Sequence, residues 1–534
     1  MNYFNKLSLI FILFFNFSFS QKILILDSEN GIKIPNATVF NKQSMESIIS
    51  DQNGFVDLKK FRPKDTLIFG HVSYNNVTII KENIYNSRVF LMPAAQVLSE
   101  VILSVARSKE NRDKISKQVS VISFKDLELN PPLTSADLLT YAPGVRVQKS
   151  QGGGGSPVIR GFEANRVLLV IDGVRMNNAI YRSGHLQNAI TINPNSLERT
   201  EIIYGPSSVG YGSDALGGVI HYYTKNPKIN NLKKWEFNGL SSFNTRLKNT
   251  VQSFDIEHSQ KKWASYTNFS FSKFGDIIMG SYRNHGFETW GLDYHFLNPN
   301  IYNASSISNP NPNLQKNTSY DQFDFLQKFN FKISETSNLV LNFQNSKSSD
   351  ISRYDKLNEL KNGNYKYSEW KYGPQKRTMV SSLFNFSKKK NFSDMRKLLV
   401  AYKNIEESRH SRRFQQLKRL NQIESLDVFS INFDLFKNNS NNSSWAYGFE
   451  YVHNNVFSRA YLQNLNLDQF SELIEASISY NAPTRYPNEE GYYRTIASYY
   501  EFRKDLSKRL NVNLGMRYTK TQLRAKWSDR EIIQ

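Results

Sequence analysis

After residue 233 the sequence alternates apolar and polar residues with a period of two. In one such run Phe323, Phe325 and Phe329 share one face, while Asp324 and Lys328 share the other. Because successive side chains of a β-strand point to opposite faces, this pattern predicts strands with one apolar and one polar surface. Runs of this kind recur through the rest of the chain, so their backbones must pair into an extensive sheet.

The connections between these runs differ in length. Similar runs lie at residues 263–273, 339–343, 379–386, 429–435, 445–453 and 510–518. A short Glu-Thr-Ser turn joins two of the runs, whereas residues 297–319 and 461–491 are long and rich in Asn, Pro and Ser. Short turns at one edge and long loops at the other are typical of a transmembrane β-barrel. Past residue 19 no apolar run approaches the roughly 20 residues of a membrane helix, so any membrane span must consist of strands.

The stretch before these runs has a different character. Short apolar segments at 167–171, 202–204 and 219–223 are separated by Gly, Pro, Asp and Asn. Turn residues at this spacing predict a compact globule of mixed structure. Four consecutive glycines at 152–155 are costly to order, so we expect a mobile loop there.

Local signals refine the prediction for this globule. Thr134 and Ser135 can cap a short helix, and the Pro-Gly pair that follows it at 143–144 ends that helix. Asp172 and Gly173 fit a tight turn between two strands.

This stretch closely resembles the plug domain of TonB-dependent outer-membrane receptors. The resemblance rests on an ordered set of motifs: PGV, a glycine run, IRG, IDGV and LERTEIIYGPSSVGYGSDALGGVI. The plug-motif positions are Pro143, Gly144, Arg160, Gly161, Asp172, Gly173, Gly205, Pro206, Gly212, Gly217 and Gly218.

Two plug positions bear on contacts with the barrel wall. The resemblance implies that Arg160 faces acidic residues of the wall, and an ordinary surface arginine is the alternative. Tyr204 stands where many family members carry Arg. This departure weakens the expectation of a second ion pair between plug and wall.

The N-terminus predicts export from the cytoplasm. Lys6 precedes an apolar run at 7–19 that is too short for a stable membrane anchor, and Ser18 and Ser20 are small residues of the kind that signal peptidase prefers. We therefore expect a signal peptide at 1–20 and a mature chain that starts at Gln21. With no cysteine in the chain, disulfides, thiolate metal sites and a lipid-attachment cysteine are excluded.

Residues 21–95 alternate short strands and turns, which predicts a small β-sandwich. The segments PNATV at 35–39 and DQNGF at 51–55 resemble the carboxypeptidase-regulatory-like domain that precedes the plug in receptors from Bacteroidota. Asp51 and Asp57 fit turn and strand-end positions better than a calcium site.

An apolar segment at 98–105, followed by the charged tract RSKENRDK, resembles a TonB box. The box positions are Ser99, Glu100, Val101, Ile102, Leu103 and Ser104. An extended peptide of this kind can add a strand to another protein's sheet. The resemblance implies TonB, acting with ExbB and ExbD, as the periplasmic partner; a simple linker strand is the alternative.

Taken together, these patterns predict a mainly β protein in five parts. They are a signal peptide at 1–20, a β-sandwich at 21–95, a TonB box and linker at 96–112, an α+β plug at 113–228 and part of an antiparallel transmembrane β-barrel at 229–534. Plugged transporters have about 22 strands, and we expect about ten to twelve here. The chain also ends on Glu-Ile-Ile-Gln rather than a terminal aromatic, so we expect a truncated or split product with roughly half of the wall.

The transported ligand is predicted from three segments. VRMNNAIYRSGHLQNAITINPN, EESRHSRRF and YGFEYVHNN look most like the haem and haemoprotein receptor branch. A neutral imidazole can ligate haem iron, which makes His185, His410 and His453 ligand-binding candidates. Each can equally be a polar loop or lumen residue, and ferric siderophores, cobalamin and glycans stay open. Haem or a ferric complex is cargo in this hypothesis; we expect no cofactor and no resident metal.

Other classes of protein fit the sequence less well. The net charge of +21 comes from 68 Lys and Arg residues scattered along the whole chain, and no nucleic-acid-binding signature is present. No nucleophile elbow, HExxH or phosphate loop predicts an enzyme. A passive adhesin would share the signal peptide and strands but has no use for a TonB box or a plug. We therefore expect an outer-membrane protein in contact with lipid.

Overall fold

The computed structural model describes most of the chain in two compact units. The described residues are 22–28, 31–41, 43–71, 74–92, 101–102, 110–111, 117–129, 131–181, 188–230, 233–302, 306–388, 392–439, 442–470, 472–480, 482–507 and 510–528. One unit comprises residues 1–101 and 111–113, and the other comprises 102–110 and 114–534. The predicted signal peptide lies outside the described residues.

The first unit contains two small sheets around one core. Its strands are β1 (Lys22–Asp27), β2 (Thr38–Asn41), β3 (Ser47–Ile49), β4 (Phe55–Asp57), β5 (Thr66–His71), β6 (Tyr74–Ile80) and β7 (Arg88–Leu91). They pair in the orders β4-β1-β7 and β3-β2-β5-β6. Ile23, Ile25, Val39, Leu67 and Phe69 are buried between them, as expected for a small sandwich.

Little of the predicted TonB box is described. Val101–Ile102 forms β8 and pairs with Glu110–Asn111, which is β9. The box positions Ser99, Glu100, Leu103 and Ser104 lie outside the described residues.

The second unit begins with a mixed globule. Its strands are β10 (Val119–Ser123), β11 (Val145–Gln148), β12 (Ser156–Ile159), β13 (Val167–Ile171), β14 (Val174–Arg175), β15 (Leu197–Tyr204) and β16 (Gly218–Thr224). Five of them form a sheet in the order β10-β15-β16-β13-β14, and β11 pairs with β12. The α-helices are α1 (Phe124–Leu129), α2 (Ser135–Leu138) and α3 (Ser208–Tyr211).

Short 3-10 helices complete the connections. They are Lys81–Asn83, Tyr85–Ser87, Leu139–Tyr141, Ala164–Arg166, Asn188–Thr191, Pro194–Ser196 and Ser213–Ala215. The predicted cap is confirmed, because the Thr134 side chain accepts a hydrogen bond from the Asp137 amide at 3.2 Å at the start of α2.

The rest of the second unit is an antiparallel wall of strands. The strands are β17 (Lys234–Asn244), β18 (Asn249–Ser259), β19 (Trp263–Phe274), β20 (Ile277–Ile278), β21 (His295–Phe296), β22 (Ile307–Ser308), β23 (Leu314–Gln315), β24 (Tyr320–Ser334), β25 (Ser337–Ser348), β26 (Ile351–Ser352), β27 (Leu360–Lys361), β28 (Asn364–Tyr365), β29 (Tyr367–Tyr372), β30 (Lys376–Phe386), β31 (Met395–Arg413), β32 (Lys418–Asn439), β33 (Ser443–Leu467), β34 (Leu473–Ser479), β35 (Glu490–Asp505) and β36 (Asn511–Lys526). One helix, α4 (Tyr354–Leu357), lies in a loop, and three separate two-stranded sheets, β20-β23, β21-β22 and β27-β28, are not part of the wall sheet.

The wall strands pair mainly with their neighbours in sequence. Eleven of them form the path β17-β18-β19-β24-β25-β30-β31-β32-β33-β35-β36 within a 14-stranded sheet. This number agrees with the expected ten to twelve strands. The chain is mainly β, as predicted.

Side chains alternate across the wall because each strand has a period of two. Phe254 and Phe323 on one face are 55% and 42% exposed, while Asn268 and Lys328 on the other are 0% and 1% exposed. One surface of the wall is therefore aromatic and outward, and the other is polar and covered.

The two edges of the wall differ in the length of their connections, although part of the loop predicted at 461–491 is strand, because β33 runs to Leu467 and β34 covers Leu473–Ser479. Short connections at 260–262, 335–336 and 506–510 lie at one edge, and the long segments 275–319, 349–375 and 468–489 lie at the other. Among the described residues, no helix is long and apolar enough to cross a bilayer.

Candidate functional site

The mixed globule lies against the covered face of the wall, and this contact surface is the candidate functional site. Its own core includes Leu138, Leu169, Ile202 and Tyr222, and the same cluster takes in Met379, Leu399 and Ala401 from the wall strands β30 and β31. Burial raises the pKa of the Tyr222 hydroxyl well above its ordinary value, so this phenol stays neutral at the centre of the contact.

The tightest polar contact is centred on the Asp172–Gly173 turn between β13 and β14. Both residues have positive φ, at 49° and 87°, the conformation of a two-residue hairpin turn in which Asp-Gly is favoured. The Asp172 carboxylate accepts hydrogen bonds from the Thr224 amide at 3.0 Å and the Thr224 hydroxyl at 2.7 Å. The predicted turn is confirmed.

The same carboxylate also binds the wall. The Asn342 and Gln344 side-chain amides of β25 each donate to it at 3.1 Å. Lys328 Nζ of β24 lies 3.2 Å from it, with 2% of the Lys328 side chain and 11% of the Asp172 side chain exposed. We call Asp172, Thr224, Lys328, Asn342 and Gln344 the hub.

Lys328 of the wall is also bound by the end of β16 and the residues that follow it. Its ammonium donates to the Thr224 carbonyl at 3.2 Å and to Asn226 Oδ1 at 2.8 Å. A buried ammonium needs such partners because its desolvation is costly. The hub therefore joins the end of β16 and the β13–β14 turn to two wall strands.

Arg377 of β30 extends the network. Its guanidinium donates to the Thr191 hydroxyl at 3.1 Å, to the Thr191 carbonyl at 2.7 Å and to Gln344 Oε1 at 3.0 Å. Gln344 thus links Arg377 to Asp172. On the next strand, Lys403 donates to the carbonyl of Arg175.

Further polar contacts lie around the wall. Lys225 pairs with Asp255 of β18 at 2.7 Å, and Asn454 Oδ1 of β33 accepts from the Ala179 amide at 3.2 Å. Arg517 of β36 pairs with Glu450 at 2.8 Å and donates to the Val209 carbonyl at 3.4 Å. Contacts from β18 to β36 show that the globule is lodged along the whole described wall.

Besides the shared core that includes Met379, Leu399 and Ala401, two further apolar contacts join the globule to the wall. Ile180 packs with Ile405, Leu426, Val428, Val452 and Val456 of the wall. Ile190 packs with Phe274, Tyr320 and Ile351.

The glycine run at 152–155 is packed against its surroundings, whereas the sequence predicts a mobile loop there. A Cβ at Gly153 would lie 2.8 Å from Ile351 Cδ1 and 2.9 Å from the Tyr320 ring, and one at Gly155 would lie 2.5 Å from the Ala136 side chain. The glycines are needed because the loop passes close to the wall and to α2, not because it must move.

Arg160 has no acidic wall partner among the described residues. It donates to the side chain of Gln118, and its guanidinium lies 4.9 Å from the centroid of the Tyr204 ring. The Tyr204 hydroxyl in turn donates to the Pro143 carbonyl at 2.6 Å. The surface-arginine alternative therefore fits, and the wall is bound by Asp172 instead.

The three candidate histidines do not converge. His185 lies outside the described residues. His410 Nδ1 donates to Asn421 Oδ1 at 2.5 Å, while His453 pairs with Phe429 on β32. Asn421 and Phe429 are eight residues apart on that strand, or about 27 Å at roughly 3.4 Å per residue.

His453 also has the wrong orientation for an interior ligand. Its neighbours Val452 and Asn454 are buried on the covered face, so the side chain of His453 lies on the outward face with Phe429. The described residues contain no group of three or more His, Cys, Asp or Glu side chains that could hold a metal ion.

Sequence reasoning did not identify Lys328, Arg377 and Lys403 as contacts of the globule. The available signal was a basic residue on the polar face in the middle of a period-two run. That signal locates a buried charge, but it does not indicate its partner.

The Asp293 carboxyl makes the stability of the long 275–319 segment depend on pH. Burial raises the pKa of its carboxyl to about 6. Its amide donates to the Pro312 carbonyl and its carbonyl accepts from Asn309, both at 2.8 Å. Because this pKa is higher in the packed segment than in the unfolded one, the protonated carboxyl favours the packed segment at pH values below its unfolded pKa. This contribution to stability is lost as the pH rises through about 6.

We therefore expect hydrogen exchange in residues 293–313 to be faster at pH 7.5 than at pH 5, after correction for intrinsic rates. Asp293→Asn should remove this difference, whereas Glu288→Gln, an exposed acid in the same segment, should retain it. Retention of the full difference in Asp293→Asn would contradict the assignment.

Comparison with known proteins identifies the globule. Residues 111–219 match the TonB-dependent Receptor Plug Domain. The chain is 36% identical over 131 residues to the vitamin B12 transporter BtuB of Vibrio vulnificus, covering 24% of this chain and 21% of that protein. It is 30% identical over 151 residues to the ferrichrome outer membrane transporter/phage receptor of Escherichia coli, covering 27% and 19%.

A solved structure extends the likeness to the wall. The ferripyoverdine receptor of the outer membrane of Pseudomonas aeruginosa superposes with a TM-score of 0.55 at 12% identity, covering 94% of this chain and 63% of that one. At this identity the likeness concerns the fold. The chain spans about a fifth of each matched curated relative, and less than two thirds of this solved receptor.

These findings define the class of fold: a plug domain together with part of an outer-membrane β-barrel. More particularly, the chain carries a TonB-dependent receptor plug domain docked on part of a barrel wall, and its relatives with this plug place it in the outer membrane.

Proposed function

We propose that the full-length protein is a TonB-dependent receptor that binds a scarce nutrient at the cell surface and imports it into the periplasm. The observation that carries this proposal is the hub. A plug held to the wall by hydrogen bonds and a buried ion pair closes the interior at rest, yet it can be released in part without separating an extensive dry core.

The mechanism assigns a role to each part of the chain. A signal peptide at 1–20 directs export, and a carboxypeptidase-regulatory-like domain at 21–95 precedes a TonB box within 96–112. TonB, powered through ExbB and ExbD, pulls on this box and loosens the plug at 113–228. The long-loop edge of the wall is extracellular and the short-turn edge is periplasmic, as in other outer-membrane barrels.

The ligand we propose is haem or another iron complex, with a ferric siderophore, cobalamin or a glycan as alternatives. The matched relatives carry vitamin B12 and ferrichrome in their names, which supports a bulky chelate as the class of cargo. The separation of His410 from His453 removes one route to haem ligation by the described wall. The choice is therefore one for a binding experiment.

The test of energised transport is deletion of residues 99–105 from the full-length protein. Uptake of a bound ligand should fall at least tenfold while its surface Kd changes less than twofold, because the box transmits force but does not touch the ligand. A matched control replaces Arg107, Ser108 and Lys109 with Gly and Ser, leaves β9 unchanged, and should keep uptake. A deletion that leaves uptake intact would favour a passive surface protein.

Ligand identity is tested by titration of the full-length receptor with haemin, ferrichrome and cyanocobalamin. We expect one of the three to bind with at least a hundredfold lower Kd than the others. Equal weak binding of all three would contradict a role in chelate uptake.

A further inference from the structure

A cavity lies between the plug and the wall on the periplasmic side of the hub, and its lining combines polar side chains with the apolar side chains of Val340, Leu383 and Leu399. Its volume is about 400 Å³, within the range of small-molecule sites. Plug residues from the Asp172–Gly173 turn and β16 form one side of it, and strands β24, β25, β30, β31 and β32 form the other.

The cavity extends from the hub toward the short-turn edge. Asn338 and Asn342 of β25 both line it, and four residues of strand span about 13 Å. Asn342 also binds Asp172, so the hub closes the end of the cavity that lies farther from the periplasm. Release of the Asp172–Gly173 turn would open that end.

The lining is rich in side-chain amides. Six asparagines contribute: Asn226, Asn330, Asn338, Asn342, Asn385 and Asn432. Asn432 is 6% exposed, and its Oδ1 atom has no hydrogen-bond partner among the described residues. A buried acceptor without a partner is costly, so the lining favours an occupant that donates hydrogen bonds.

The charges of the lining balance. Lys328 and Lys397 are matched in number by Asp172 and Asp434, and Asp172 pairs with Lys328 while Asp434 accepts from the Tyr499 hydroxyl at 2.7 Å. An anionic or cationic occupant would gain no net attraction here. A neutral occupant would lose no electrostatic attraction.

We infer that this cavity is an inner binding site through which the cargo passes after release of the hub, and that it takes neutral solutes whose periphery carries amide or hydroxyl groups. This inference rests on the proposed import function, gives the cargo a place in the wall, and among the proposed ligands favours a neutral chelate over the dianion haem.

The test uses the absence of cysteine from the chain. A single Asn385→Cys is introduced into the full-length receptor and modified with sulfonatoethyl methanethiosulfonate, which adds a bulky anion by a disulfide that a reductant removes. Asn385 lies on the cavity wall near the end of β30. Thr495→Cys on β35 is the matched control, because it lies on the plug-facing side of the wall and outside the cavity.

With ferrichrome and cyanocobalamin as probes, we expect modified Asn385→Cys to lose at least tenfold in uptake rate while surface Kd changes less than twofold. Reduction should restore the rate, and modified Thr495→Cys should keep it. Haemin, a dianion, should be taken up at least tenfold more slowly than the better neutral probe.

The outcomes separate the two proposals. Undiminished uptake of neutral probes by modified Asn385→Cys overturns the inner site and leaves the import function standing. Uptake of haemin alone overturns the assigned class of cargo. A wild-type receptor that imports none of the three probes overturns the import function, and the inner site with it.

Discussion

Lys328→Met should release the Asp172–Gly173 turn of the plug from the wall. The substitution leaves the buried Asp172 carboxylate without the ammonium that lies 3.2 Å away. Removing one partner of a buried ion pair costs about 3 to 5 kcal/mol, which is a factor of roughly a hundred or more in a local opening equilibrium. The measurement is hydrogen exchange of the full-length protein, read over residues 167–175 and 218–224.

Two further variants make this prediction specific. The double variant Asp172→Asn/Lys328→Met leaves no unpaired buried charge and should recover more than half of the loss. Lys332→Met makes the same change on the same strand, but Lys332 is half-exposed and pairs with the exposed Glu335. Lys332→Met should change the free energy of local opening, measured by hydrogen exchange, by less than about 0.5 kcal/mol. Equal responses of Lys328→Met and Lys332→Met would contradict the hub.

Local structure was predictable wherever the cause is local. The period of two identified the wall because burial of one strand face needs nothing but alternation. Thr134 caps α2 and Asp172–Gly173 turns the chain because each acts on backbone atoms within a few residues. The glycine run was the exception, since its requirement comes from Tyr320 and Ile351 on distant strands.

The hub was not predictable from the sequence because its members are far apart along the chain. Asn342 is 170 residues from Asp172, and only the position of the plug within the wall brings them together. The pattern shows that Lys328 lies on the polar face, but no local signal distinguishes a lumen lysine that faces water from one that binds a plug turn. For the same reason His410 and His453 looked equivalent in sequence, yet they lie far apart in the wall.

Gly218→Ala should disrupt the plug sheet itself. A Cβ at this position in β16 would lie 2.5 Å from the carbonyl oxygen of Ile203 and 3.0 Å from Ile159 Cδ1. Ile203 belongs to β15, whose neighbouring residue Tyr204 pairs with Gly218, so the oxygen can move only by shifting that pairing. Overpacking costs about 1 to 3 kcal/mol and more where the backbone must move. We expect residues 119–224 to lose protease resistance in the full-length protein.

Gly205→Ala is the matched control: Gly218 also has a positive φ, at +158°, but the glycine at 205 lacks its close contacts. Its φ is +81° and no atom lies within 4 Å of an added Cβ, so the cost is confined to the left-handed conformation, about 1 to 2 kcal/mol. Both glycines belong to the same plug motif, and the motif alone cannot separate close approach from turn geometry. A larger loss for Gly218→Ala than for Gly205→Ala supports close approach at the β15–β16 pairing, and equal losses would refute it.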